Sequence, residues 1–271
     1  MIAVEPMPFS EAVKVLAEKN LLPDLMTSAD IRALDAALKN QSFFSAQTTD
    51  EYLLQYYKYK IGGLLNPVRI AGQATTQYSP AYVSRSIKDF LISVNYAPAP
   101  ADAGTIKDLS SDARVSLVLK TNKQLAQGQG NWLQSQRGGV LDSFPADELF
   151  RLEARAKQRD WLARWRLAGE QTDDSIGTGW TITPDGRMIA LKNHDIWNWI
   201  GSSELFDDAL DVIWPPFAFN SGMWVKDVSR AMCEAIGLLD QGEAAPEPAN
   251  IVSAIESFSS KISKFAEEVA A

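Results

Sequence analysis

All eight tryptophans of this chain fall between Trp132 and Trp224. An indole brings about 150–250 Å² of surface to bury, so this stretch must assemble a large aromatic body, whereas the stretch before it holds no tryptophan at all. Such a cluster serves as a sugar platform, as a stacking site for bases or, most commonly, as core and interface. Two bodies of different character are therefore expected. At 271 residues, 46% hydrophobic and 22% charged, the chain is long enough for one large domain or two smaller ones.

Several classes of function are disfavoured by residue counts. One cysteine, Cys233, precludes an intramolecular disulfide and a thiolate zinc cluster, and one histidine, His194, leaves little for a histidine metal site. No metal or cofactor is expected. A net charge of −8 opposes wrapping of a phosphate backbone, so DNA contact is not favoured; "EARAKQRDWLARWR" at 153–166 is the best local basic patch. No apolar run approaches the ~20 residues of a membrane span, and "MIAVEPMPFSEAVKV" lacks the basic-then-apolar order of a signal peptide. The expectation is a protein made and kept in a cytosol, without membrane contact.

Periodicity and punctuation divide the chain. The first hundred residues read as short helices: Ser28 caps a segment with Ile31, Leu34 and Leu38, and Thr49 opens one with Leu53, Tyr57, Ile61 and Leu64. In "SPAYVSRSIKDFLISVNY", Ser79 is the N-cap and Pro80 the first helical residue, with Val83, Ile87, Phe90, Leu91 and Val94 in one stripe. "APAPADAG" reads as a linker. A long helix then starts at Ser110/Ser111 with Asp112 in its first turn, and Gly128 and Gly130 read as its end or bend. Its stripe of Arg114, Val118, Asn122 and Leu125 puts two polar side chains in line with the core, and Asn122 is expected to be buried and fully hydrogen-bonded.

From Pro145, read as a first-turn residue, to a stop at Gly169, composition again predicts helix. "GWTITPDGRMIAL" predicts a hairpin of 180–183 and 187–191 around Pro-Asp-Gly. Ser229 caps a last short helix stopped by Gly237. The fold class expected is thus α+β and predominantly helical: a helical region at 1–96, a linker at 97–107, an α+β domain with a small hairpin sheet at 108–239, a linker at 240–249 and a helix at 250–271. In that last helix Ile251, Ile255, Phe258, Ile262, Phe265 and Val269 alternate by four and three, a heptad seam suited to docking on another subunit.

Catalytic constellations are not apparent. His194 sits in the turn-like "KNHDIW" without a G-x-S-x-G elbow anywhere to supply a serine. Adjacent carboxylates such as Asp147 and Glu148, or Asp207 and Asp208, point apart on a helix and receive no role. "GQGNWL" follows a helix, where a dinucleotide fingerprint needs a strand. "WPPFAFNSG" at 214–222, with two prolines and no charge, is neither helix nor central strand; it is expected to pack as an extended arm with Trp214 or Phe217 mostly buried.

Three stretches in order resemble a known family. "ARVSLVLKTNKQLAQGQGNW" carries Arg114, Thr121, Asn122, Ala126, Gly128 and Trp132; "GRMIALKNHDIWNWI" ends in Asp195, Ile196 and Trp197; "WPPFAFNSGMWVKDVSR" carries Trp214, Pro215, Pro216, Phe219 and Asn220. Together they are similar to the minor head (head-morphogenesis) proteins of Mu-like tailed bacteriophages, typified by the F protein of phage Mu. Where that family has a cysteine pair, this chain has Ser221 and Met223, so no disulfide or metal role carries over. The resemblance implies a non-enzymatic virion protein, made in the host bacterium, at the head or head–tail vertex. Its implied partners are portal or major capsid subunits, or a second copy of itself. The alternative is a phage-ejected effector enzyme resembling an ADP-ribosyltransferase or a nuclease, and a carbohydrate-binding module is a third reading.

Overall fold

The structure, a computed structural model, describes residues 10–27, 30–31, 34, 42–70, 73–76, 78–155, 158–173 and 175–248. It is of the α+β class, predominantly helical, with small sheets. The chain divides into two compact units, one holding the described residues of 10–31 and 42–130, the other Leu34 and those from 131 onward. This division falls inside the long helix, and not at the 97–107 stretch where composition suggested a linker. That stretch has no helix or strand, yet it is closed by hydrogen bonds: the Asp108 carboxylate accepts from the Gly104 and Ser110 amides, and Ser111 Oγ donates to the Thr105 carbonyl.

In the first unit, helices α1 (Ser10–Glu18), α2 (Glu51–Leu65) and α3 (Pro80–Ser93) precede α4 (Asp112–Ser135). The α2 stripe of Leu53, Tyr57, Ile61 and Leu64 is buried as its spacing predicts. Its N-cap is Asp50, one residue past Thr49: the Asp50 carboxylate accepts from the Leu53 amide. Ser79 and Pro80 start α3 as read, but Val94 follows the last helical residue and is exposed. A purely helical front end is not observed. Asn20–Leu22 (β1) pairs in parallel with Ser42–Phe44 (β2), and Pro67–Ile70 (β3) forms an antiparallel ladder with Gln73–Thr76 (β4). These strands have three or four residues each, too few for a period-two pattern to stand out.

Helix α4 is 24 residues long and runs through both of its glycines. Ser111 caps it, its hydroxyl accepting from the Arg114 amide. Gly130 does not end the helix; it admits α1. A Cβ there would lie 2.7 Å from the Ala12 backbone nitrogen, so only glycine permits the approach.

The second unit is built on a four-stranded antiparallel sheet of order β6-β7-β5-β8, comprising Ala146–Arg151 (β5), Trp180–Ile182 (β6), Met188–Leu191 (β7) and Met223–Val228 (β8). The hairpin of β6 and β7 is as read. The helix expected from Pro145 is instead β5, an interior strand of this sheet; helix resumes only at α6 (Trp161–Gly169), capped by Asp160 and ending at Gly169. Alternation along the strands separates two cores. Leu149, Ala190 and Met223 face a large cluster with Trp161, Trp165, Trp197 and Phe217. Ala146, Ile189 and Val228 face a smaller one with Cys233, Leu238 and Leu239. Short helices α5 (Gly138–Ser143), α7 (Ile196–Ile200) and α8 (Arg230–Ala235) complete the unit, α8 capped by Ser229 as read. Among the described residues no helix is long and apolar enough to cross a membrane.

Candidate functional site

The sheet register brings together three charged groups that are far apart in sequence. Asp147 on β5 stands directly across from Asp227 on β8. Like charges in opposing positions repel, and a third group answers them: Lys192, the residue after β7, has its amide bonded to the Pro145 carbonyl at 3.0 Å. Its ammonium lies 2.5 Å from an Asp227 oxygen and 3.7 Å from an Asp147 oxygen. The Lys192 side chain is 1% exposed, that of Asp147 12% and that of Asp227 51%, so the cluster opens to solvent on the Asp227 side. Burial pushes the Asp147 carboxyl up to about 6; the Lys192 ammonium opposes that rise and the Asp227 carboxylate adds to it. On the other face of the sheet Glu148 accepts from Arg187 and Lys226, at 2.5 and 2.9 Å, and is neutralised.

Above Asp147, Lys192 and Asp227 lies a cleft of about 310 Å³. The last turns of α4 contribute Asn131 and Trp132, α7 contributes Trp197, and the proline-rich loop contributes Pro215 and Phe217. Trp132 packs against Trp214 with ring centroids 5.5 Å apart, and Trp197 stacks on Phe217 at 5.8 Å and 18°. Trp197 is further fixed by its indole N–H, which donates to the Leu191 carbonyl at 2.9 Å. The arrangement is a small recess with an aromatic wall and a charged floor whose donors and acceptors lie side by side. It is suited to holding a small polar ligand, and it contains a carboxyl able to change protonation near neutral pH.

The proline-rich loop is compact, not the extended arm expected. The Pro215–Pro216 peptide is cis, and Phe217 has φ of 56°. The Phe217 amide donates to the Trp214 carbonyl at 3.2 Å, and Ser221 Oγ to the Pro216 carbonyl at 2.6 Å. Residues Trp214 to Ala218 are buried, Phe219 half-buried and Asn220 exposed. The basic stretch at 153–166 secures this loop from outside: Arg155 Nε donates to the Asn220 carbonyl at 3.0 Å, Arg159 to the Phe219 carbonyl at 2.8 Å, and Arg164 pairs with Asp208 at 2.7 Å. Those arginines hold the loop through intramolecular bonds.

Arg114 and Asn122 lie in the first unit and do not join the cleft. Arg114 is buried, with Nη2 donating to Ser45 Oγ at 2.7 Å and to the Ala46 carbonyl. Asn122 is 2% exposed, and its amide nitrogen donates to the Val118 and Phe44 carbonyls at 3.0 and 3.3 Å. The two side chains together fix the 44–46 segment against α4. Full hydrogen bonding of Asn122 is not realised, because both neighbours are acceptors and Oδ1 finds no donor among the described residues. The seam of Ile251, Ile255, Phe258, Ile262, Phe265 and Val269 lies outside the described residues, as do Ser28 and Leu38. Among the described residues no group of three or more His, Cys, Asp or Glu side chains is gathered to hold a metal.

Sequence reasoning missed Asp147, Lys192 and Asp227. Composition places Asp147 in a helix, and only the alignment of β5 with β7 and β8 makes the three neighbours. Compared with known protein families, curated proteins and solved structures, the chain matches none.

Proposed function

We propose that this protein is a non-enzymatic structural component of a tailed-phage particle, a minor head protein that binds portal or capsid subunits during head assembly. One observation supports this reading above others. The three stretches that resemble the head-morphogenesis proteins, widely separated in sequence, meet in space: Trp132 of the first packs on Trp214 of the third, and Trp197 of the second stacks on Phe217 of the third. Ser221, at a position where that family has sulfur, ties the loop by donating to the Pro216 carbonyl and accepting from the Met223 amide; the loop keeps its shape without a cysteine. Mass spectrometry of purified proheads and mature particles tests the proposal. The protein is expected in one or both, and its absence from both would refute the assignment.

A second reading, an ejected effector enzyme, is favoured by the Lys192 ammonium held between two carboxylates at the floor of a cleft. Expression in a bacterial host distinguishes the two. Normal growth with undiminished NAD supports the structural role; growth arrest relieved by Asp147→Asn would replace it with the enzymatic one.

A further inference from the structure

The cleft's charged floor is Lys192 shared between Asp147 and Asp227, while the Lys226 ammonium is drawn to Glu148 on the other face of the sheet. An anionic ligand placed there is repelled by two carboxylates, and a cationic one competes for them with the buried Lys192 ammonium that already holds both. A neutral ligand fits, provided it can accept from an ammonium and donate to a carboxylate a few ångströms away. The hydroxyl group is the small neutral group that does both. The half-buried side-chain amide of Asn131 adds one more donor–acceptor pair to the lining. The wall beside these groups is aromatic, and half-buried Trp132 offers ring surface to the cleft. A ring bearing hydroxyls on its edge and C–H groups on its faces matches both surfaces at once. The cleft's volume of about 310 Å³ stands at the lower end of ligand-holding cavities, ~300–1,000 Å³, which restricts the occupant to one or two rings.

We propose that the cleft binds a small neutral saccharide, its C–H face against Trp132 and its hydroxyls bonded to Asp147, Lys192, Asp227 and Asn131. This inference does not depend on the proposed role in the phage head, since particle incorporation and ligand binding are read in separate experiments.

Calorimetric titration of the full chain with D-glucose, N-acetyl-D-glucosamine and maltose, beside adenosine, provides the test. At least one saccharide is expected to saturate at one site and to change tryptophan fluorescence. Trp132→Ala should weaken that binding about tenfold, the usual worth of one aromatic contact, and Asp227→Asn should weaken it while retaining an acceptor for Lys192. Should Trp132→Ala fail to fold, as judged by circular dichroism, Asn131→Ala at the rim replaces it with the same expected direction. Absence of saturation by all three saccharides overturns the proposal, as does tighter binding of adenosine than of any saccharide, or unchanged affinity in the rim variants.

Discussion

Asp147 is placed so that its proton matters to the fold. Its carboxyl is held up at about 6 by burial, with Lys192 pulling the other way and Asp227 reinforcing the rise. A carboxyl whose folded pKa exceeds its unfolded value binds its proton more tightly when folded. The stabilisation is therefore complete below about pH 4 and is lost as pH climbs through about 6. Asparagine has no such proton to lose. Relative to the wild type, Asp147→Asn should gain stability between about pH 4 and about pH 7, by on the order of 2–3 kcal/mol. Denaturant titrations at the two pH values check this, and a difference that does not grow with pH contradicts it. Lys192 retains Asp227 as partner in the variant, so the comparison does not create an unpaired buried ammonium.

At the scale of elements, two contacts depend on a single residue each. Gly130 lets α1 approach α4, and a methyl group there collides with the Ala12 backbone. Gly130→Ala should destabilise the protein by ~1–3 kcal/mol through this overpacking, even though alanine is the better helix former by ~1 kcal/mol; thermal melts decide the sign. Phe217, fully buried and stacked on Trp197, anchors the proline-rich loop. Phe217→Ala should cost ~3–5 kcal/mol, seen as a lower denaturation midpoint. Elements with local signatures were legible from sequence. Ser79-Pro80, Ser229 and the Pro-Asp-Gly turn carry their own geometry in two or three residues, and the α2 stripe repeats over four turns. Strand β5 was not legible, because "ADELFR" after Pro145 has the composition of a helix start and becomes a strand only through β7 and β8. The cleft was lost with it: Asp147, Lys192 and Asp227 become a site only once that register is known. The small strands of the first unit were missed for their brevity, and the compactness of the 214–222 loop because the bonds that close it, Phe217 amide to Trp214 carbonyl and Ser221 Oγ to Pro216 carbonyl, leave no trace in composition.

For the molecule as a whole, the heptad pattern at 250–271 belongs to assembly under the proposed head role. Removing Asn250 to Ala271 should leave the melting temperature unchanged and abolish incorporation into particles; a truncated chain that unfolds, or that incorporates normally, contradicts this. The sheet carries a different consequence for the whole chain, one concerned with time. Strand β5 has β8 as one of its two neighbours, with Phe150 paired to Trp224. On a ribosome adding ~5–20 residues per second, β8 emerges roughly seventy residues and on the order of ten seconds after β5. Throughout that interval one edge of β5 is unpaired, with Leu149 and Phe150 beside it, and open to strands of other nascent chains. The second unit is therefore a late-completing body whose yield in a cell depends on the speed of translation and on chaperones that shield this edge until β8 arrives.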